Sequence, residues 1–289
     1  MLNKARSDQR PFNELLQYYA MERFLYRFSR SQHAERFVLK GALMLRVWRS
    51  PLPRATMDID MLARTSNREA ALSREIRDIL AVEVEADGLR FDASSLRFEK
   101  IMEDADYQGV RIRLQGDLDT ARVALQIDIG FGDIAYPEPV EAELPGMLNF
   151  PPPRLLCYSR ESTIAEKFEA MVKLGELNSR MKDFYDIWLL SRQFDFDGEV
   201  LNEAIRLTFN QRRTEIPERV VALSEEFGWA KQIQWQAFRR RLGQENAPEM
   251  FAEIIGDLHT FLNPVAIALR MGRTPPGSWK APGPWSEPK

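Results

Sequence analysis

Arg54-Ala55-Thr56-Met57-Asp58-Ile59-Asp60-Met61-Leu62 is the stretch on which the reading of this chain turns. On a strand, residues i and i+2 point to the same side, so Asp58 and Asp60 leave one face while Met57, Ile59 and Met61 enter the other. Neighbouring carboxylates repel unless something positive lies between them. A hard divalent cation answers that need, because Mg²⁺ takes oxygen ligands and commonly binds one or two carboxylates together with substrate phosphates. A solvated acidic edge strand is the competing account, and it is the commoner fate of an isolated Asp-x-Asp.

The flanking sequence sharpens the choice. Phe37-Val38-Leu39-Lys40-Gly41-Ala42-Leu43-Met44-Leu45-Arg46-Val47-Trp48 reads as a helix with a glycine near its start and apolar residues at Leu39, Leu43 and Val47. Small residues at a helix start let backbone N–H groups approach a phosphate chain, which makes Lys40, Gly41 and Ala42 candidate nucleotide contacts. A third carboxylate follows in Val123-Ala124-Leu125-Gln126-Ile127-Asp128-Ile129-Gly130-Phe131. There Val123, Leu125, Ile127 and Ile129 occupy one face, and Gln126 and Asp128 the other. Asp58, Asp60 and Asp128 would together supply a two-metal phosphoryl-transfer site, with metals about 4 Å apart. A satisfied, half-buried strand aspartate is the alternative for Asp128.

These stretches, with Gln126 to Asp133, Glu166-Lys167 and Arg180-Met181-Lys182-Asp183-Phe184-Tyr185-Asp186-Ile187, resemble the AbiEii/AbiGii toxin nucleotidyltransferases, which include the MenT toxins. The resemblance runs from about Arg36 to Ser191. It implies a nucleotidyltransferase fold and transfer of NMP from an NTP, with CTP one candidate and the tRNA 3′ end the acceptor. Mg²⁺ or Mn²⁺ and an AbiEi-like antitoxin are implied as cofactor and partner. By motif match, Asp58 and Asp60 take the metal-ligand roles, Lys167 that of the triphosphate lysine, and Asp183 that of the downstream catalytic aspartate. Superfamily analogy makes Asp128 a base for the acceptor hydroxyl. Ala42 stands where many members carry Ser or Gly, which removes a hydroxyl donor and leaves the backbone N–H.

The later motifs also read on their own. Ser162-Thr163-Ile164-Ala165-Glu166 holds a capping-box pattern, Thr163 with Glu166, before a helical run to Leu177. Ile164, Phe168, Met171 and Val172 recur at helical spacing, and Lys167 lies off that stripe, free to meet a phosphate as a point charge. A solvated helix lysine is the plainer account. Lys182, Asp183 and Asp186 open the next helix, where carboxylates suit the dipole. Tyr185 and Trp188 are expected to pack rather than stack on a base.

Composition describes an ordinary globular protein: 289 residues, 44% hydrophobic and 29% charged. The single Cys157 excludes an intramolecular disulfide and fits a reducing, cytoplasmic setting. With only His33 and His259, a histidine metal cage or a Ser-His-Asp triad has almost no material. No apolar run approaches the ~20 residues of a membrane span, and no leader peptide is expected. Forty basic against 43 acidic residues give a net charge of −3, which does not advertise nucleic-acid binding. The charge is uneven, however. Arg212-Arg213 and Arg239-Arg240-Arg241 are basic knots that could grip an RNA backbone, whereas Glu83-Val84-Glu85-Ala86-Asp87 and Glu103-Asp104-Ala105-Asp106 are acidic.

Helical patterns are expected at Pro11–Phe28 and again before Gly88, with strands over Leu96–Met102, Gln108–Leu114 and Ala121–Ile129 as antiparallel additions beside the Asp-x-Asp strand. The proline run ending at Pro153 cannot be helix interior or central strand. Beyond it every pattern is helical, including Pro217–Phe227. The sequence therefore predicts an α/β (α+β) protein: a nucleotidyltransferase-fold mixed-sheet domain over 1–150, an all-helical domain over 151–273, and a Pro-rich tail over 274–289. That tail should be extended and mobile unless a partner buries Trp279 and Trp285. A nucleotidyltransferase acting on a protein or small molecule, a metal-dependent nuclease, and a non-catalytic binding module remain rivals to the tRNA-modifying reading.

Overall fold

The protein, seen in a computed structural model, is described over residues 1–7, 10–51, 54–102, 108–243 and 247–288. The acidic run Glu103–Asp106 lies outside the described residues. The chain divides into two compact units, Met1–Asp133 with Pro139–Tyr158, and Ile134–Glu138 with Ser159–Lys289. The division differs from a boundary after Phe150. The proline run leads into a strand of the first unit's sheet, so the sheet continues past it.

The first unit opens with helices α1 (Leu2–Ser7) and α2 (Phe12–Ser29). Strand β1 (Phe37–Lys40), the one-turn helix α3 (Met44–Val47), strand β2 (Asp58–Ala63) and helix α4 (Glu69–Leu80) follow. Then come β3 (Leu89–Met102), β4 (Gln108–Leu118), β5 (Ala121–Phe131), β6 (Val140–Glu143) and β7 (Arg154–Cys157). These strands form one seven-stranded mixed sheet in the order β3-β4-β5-β2-β1-β7-β6.

Two expectations are corrected here. Phe37–Trp48 is not a single helix, because Phe37, Val38 and Leu39 pair antiparallel with Ala63, Leu62 and Met61. Their aromatic and branched side chains suit a fully buried strand, and tertiary pairing overrides the helical spacing. Beside β2, the Asp128 strand β5 runs parallel, whereas β4 runs antiparallel to both of its neighbours, β3 and β5. The core faces behave as the alternation demands. Ile59, Met61, Val123, Leu125, Ile127 and Ile129 are all buried, but Met57 precedes the strand and is 55% exposed.

Helix α2 packs on the sheet and pins it with polar side chains that interrupt its apolar stripe. Gln17 donates to the Met57 carbonyl at 3.1 Å and to that of Ala124 at 2.9 Å, tying the start of β2 to β5. Arg23 is wholly buried. Its Nε meets Asp87 Oδ2 at 3.1 Å, and Arg27 grips both oxygens of Asp87 at 2.7 and 3.1 Å. Asp87 is therefore no part of an acidic surface. Two guanidinium groups share this buried site with Asp87 and with Glu22, whose Oε1 lies 3.5 Å from Arg23 Nη1.

The second unit carries α5 (Arg160–Leu174), α6 (Met181–Gln193), β8 (Phe196–Asp197), α7 (Gly198–Gln211), α8 (Glu225–Ala230), α9 (Gln232–Leu242), α10 (Phe251–Met271) and β9 (Ser278–Trp279). Its centre is aromatic: Phe184 stacks on Phe227 at 5.6 Å and meets Phe251 edge-on at 5.2 Å, and Trp235 stacks on Phe251 at 5.2 Å. The expected helix over Pro217–Phe227 is absent; a 3₁₀ turn at Val221–Leu223 precedes α8, which Ser224 caps. The Pro-rich tail is also placed otherwise than expected. Trp279 and Trp285 pack on Phe261 of α10, and Ser278–Trp279 pairs with Phe196–Asp197. The chain's own helix α10 supplies the apolar surface that buries these indoles, so the tail is docked without an outside partner. Among the described residues no helix is long and apolar enough to cross a membrane.

Asp87→Asn is expected to cost about 3–5 kcal/mol at neutral pH, since it removes the charge that two buried guanidinium groups share. Burial pushes the Asp87 carboxyl up, but hydrogen bonds from Arg27, Leu89 and Arg23 outweigh it and hold the group below its usual range. A depressed native pKa contributes stability above the unfolded value, about 3.9, and that stability is lost as pH falls through the native value. Urea melts at descending pH should show the gap between parent and variant narrowing below about pH 4. A gap that stays constant there would assign the stabilisation to packing instead of charge.

Candidate active site

Parallel pairing of β2 with β5 sets Asp58 opposite Gln126 and Asp60 opposite Asp128. Directly opposed residues share a sheet face, so the three aspartates converge although residues 64–120 separate β2 from β5. One carboxylate oxygen from each of Asp58, Asp60 and Asp128 lies within 4.8 Å of the others, and all three side chains are half-buried. Those residues could hold a divalent cation. An all-carboxylate donor set suits Mg²⁺ or Mn²⁺ and disfavours metals that prefer thiolate or imidazole.

The same row extends in both directions. Lys40 on β1 lies opposite Asp60, and Arg111 on β4 lies opposite Asp128. Arg111 clasps Asp128 as a two-toothed fork, Nε to Oδ1 at 2.8 Å and Nη2 to Oδ2 at 2.7 Å, and Gln126 adds a longer contact at 3.3 Å. Hydrogen bonding to Asp128, with burial opposing it, holds the Arg111 proton more firmly than usual. Lys40 bonds the buried Asp133 at 2.8 Å and sits 5.5 Å above the Tyr158 ring. Thr56 Oγ1 donates to Asp58 Oδ1, closing the site at the entry to β2.

Gly41 is where the site excludes any other residue. Its φ of +73° lies in the left-handed region, and a Cβ there would fall 1.9 Å from Asp60 Oδ2 and 2.7 Å from Asp60 Cβ. The glycine lets the chain leave β1 across the face of Asp60. Ala42, the departure from the family pattern, is 4% exposed, so a serine at that position would bury its hydroxyl. With only one helical turn in α3, the small-residue segment is a strand-to-turn exit and not the start of a long helix.

Lys167 and Asp183, predicted from the later motifs, meet within the second unit. Lys167 Nζ lies 2.7 Å from Asp183 Oδ1 and 2.9 Å from Asp186 Oδ2, and Arg180 Nε lies 2.7 Å from Asp183 Oδ2. Burial pushes the Asp183 carboxyl up, yet Lys167 and Arg180 hold it below the ordinary range. Helix α5 begins a turn earlier than the Thr163 pattern suggests: Ser159 is the cap, accepting from the Ser162 N–H at 3.0 Å. Tyr185 and Trp188 are packing residues, Trp188 Nε1 bonding Asp257 at 2.9 Å.

A family model described as nucleotidyl transferase AbiEii toxin, Type IV TA system, matches residues 23–257. The chain belongs to that family. It is thereby a nucleotidyltransferase of a toxin–antitoxin class. Two crystal structures from Helicobacter pylori are similar in fold. One, described as a candidate nucleotidyltransferase, is 14% identical, with a TM-score of 0.48 over 91% of this chain and 96% of that one. The other, JHP933, is 13% identical, with a TM-score of 0.47 over 91% of this chain and 94% of that one. A search of curated proteins finds no match.

Sequence reasoning in this AbiEii chain gave no site role to Arg111 and Asp133, beside the carboxylates in the first unit, or to Asp186, which meets Lys167 in the second. Arg111 falls on a strand whose polar positions look like ordinary surface, and only its register against Asp128 gives it meaning. Asp186 had a signal, since it shares a helix face with Lys182 and Asp183 near the start of α6.

Gly41→Ala is expected to displace the Asp60 carboxylate and weaken Mn²⁺ binding at least tenfold in titration calorimetry, with far-UV circular dichroism unchanged. Undiminished Mn²⁺ affinity would show that Asp60 can turn aside and that it is not needed as a ligand.

Proposed function

We propose that this AbiEii protein transfers an NMP group from an NTP, CTP among the candidates, to the 3′ end of tRNA, using Mg²⁺ or Mn²⁺. The observation that carries the reading is the convergence of Asp58, Asp60 and Asp128 beside the Gly41 turn. The family match supports the reaction class, and its type IV description supports an antitoxin partner.

In this reading Asp58, Asp60 and Asp128 hold the cation, and Lys40, Gly41 and Ala42 border the nucleotide. The acceptor 3′-hydroxyl attacks the α-phosphorus in line; the bond to the β-phosphate oxygen breaks and pyrophosphate leaves. Asp128 takes the proton of the attacking hydroxyl. Bound metal would supply electrostatic neutralisation of the phosphates and of the charge that develops on them. Everything else is positioning: the sheet fixes the carboxylates before substrate arrives, so little reorganisation is needed at the moment of reaction. Lys167 serves the triphosphate as a point charge. Asp183 and Asp186 orient its ammonium, whose three N–H donors can serve several acceptors at once.

Incubating the protein with each radiolabelled NTP, with and without bulk tRNA, tests the acceptor. Label on RNA supports the proposal; label on protein moves the activity to a protein acceptor, RNA shortening indicates a nuclease, and no label or cleavage a binding module. Asp58→Ala and Asp60→Ala should each abolish transfer and leave the fold intact, because removing one of two repelling carboxylates relieves strain in the absence of metal. Either variant at parental activity would overturn the metal assignment. Lys167→Ala should raise the KM for NTP and lower kcat, with Lys167→Arg restoring only part. Unchanged constants would leave Lys167 as a structural partner of Asp183.

A further inference from the structure

The carboxylate row continues into a basic strip on the same sheet face. Two rows can be read across the strands. In one, Lys40, Asp60, Asp128, Arg111 and Glu99 stand opposite one another in turn; in the other, Asp58, Gln126, Arg113 and Arg97 do so. Strands lie about 4.8 Å apart, so the guanidinium groups of Arg111, Arg113 and Arg97 begin one strand from Asp128 and reach the edge strand β3. Arg97 and Arg113 are exposed, Arg113 by 51% of its side chain; one Arg97 nitrogen, Nη1, donates to the Leu96 and Ser94 carbonyls at 2.8 and 3.2 Å. Arg113 is bridged to the exposed Glu99 at 2.7 Å.

The two flanks of the triad differ in kind. On the β1 flank lie the Gly41 turn and Lys40, whose ammonium is tied to Asp133 and stands over Tyr158. This is the flank assigned to the nucleotide. An acceptor strand whose 3′-hydroxyl reaches the α-phosphorus must then lie over the opposite flank, where the strip is. The basic knots of the C-terminal third are weaker candidates. Arg212 is only 17% exposed and bonds Glu169 at 2.9 Å, and Arg239 is only 27% exposed, with Glu249 at 3.5 Å.

The geometry points to the β4–β3 face, through Arg97 and Arg113, as the track that holds the acceptor's phosphate backbone behind its 3′ end. Arg111 links the track to the site through its hold on Asp128. Glu99 is the track's internal competitor, occupying Arg113 in place of a phosphate. The assignment rests on the proposed RNA acceptor and adds where that acceptor lies.

Fluorescence anisotropy of labelled bulk tRNA, measured over a series of salt concentrations, tests it on the full chain. Arg97→Gln and Arg113→Gln should each weaken binding several-fold, and each should reduce the slope of log affinity against log salt by about 0.7–0.9, one phosphate contact's share. Glu99→Gln should tighten binding several-fold by releasing Arg113, a gain that a merely structural role would not produce. Mn²⁺ titration reports on the triad separately and should be unaffected in all three variants. If the parent binds tRNA and the variants match it in affinity and salt slope, the track is wrong and the acceptor reading stands. If the parent neither binds nor labels tRNA, the acceptor reading falls and the track falls with it. Loss of Mn²⁺ binding in the arginine variants would make these residues supports of the triad, overturning the track.

Discussion

Three carboxylates held within one another's reach are the constraint around which the first unit is built. Asp58, Asp60 and Asp128 would separate if their strands allowed it, because like charges at such range repel. The parallel pairing of β2 with β5 prevents this, since a slip of one residue would send the buried apolar residues of the slipping strand to the polar face. The apolar face therefore enforces what the polar face resists. Neighbouring strands answer the charge with cations placed in register, Lys40 on one side and Arg111 on the other.

Helix α2 stabilises this arrangement from behind. Gln17 ties the backbone at the mouth of β2 to β5, and Tyr18 accepts from the Thr56 N–H at 3.0 Å. Farther along the helix the Arg23–Asp87–Arg27 site fixes the loop into β3, while Glu22 accepts from the Met147 N–H at 2.7 Å. Buried charges of this kind are costly to bring in and worse to leave half-paired. Their effect is to make the position of α2, and with it the opening of the site, hard to vary.

The second unit shows the same economy on a smaller scale. Lys167 is held between Asp183 and Asp186, and Arg180 completes a cluster with two charges of each sign. A lysine so placed has a defined direction, which a solvated helix lysine lacks. Its tail is secured by aromatic packing: Trp279 Nε1 bonds the Ser191 carbonyl, and Trp285 Nε1 that of Phe261, so each indole buries its ring without stranding its donor.

Local pattern is enough to identify much of this. The alternation around Asp58, Asp60 and Asp128 follows from a period of two residues, and the helices of the second unit from a period near 3.6; both are properties of neighbours in the chain. For the same reason the Asp-x-Asp strand can be named from residue order alone, whereas Lys167 and Asp183 stand out only through the family resemblance of their motifs. Phe37–Trp48 misleads because a short apolar run carries either period, and the partner strand that decides between them lies some twenty residues downstream. The direction of β5, the bond between Arg111 and Asp128, the burial of Asp87 and the docking of the tail cannot be read locally. Each depends on which distant segment lies opposite. Amino-acid order by itself determined which residues carry charge to a common face of each element. Only the tertiary structure decided which faces meet, because register and strand direction are set by burial of apolar side chains over the whole sheet.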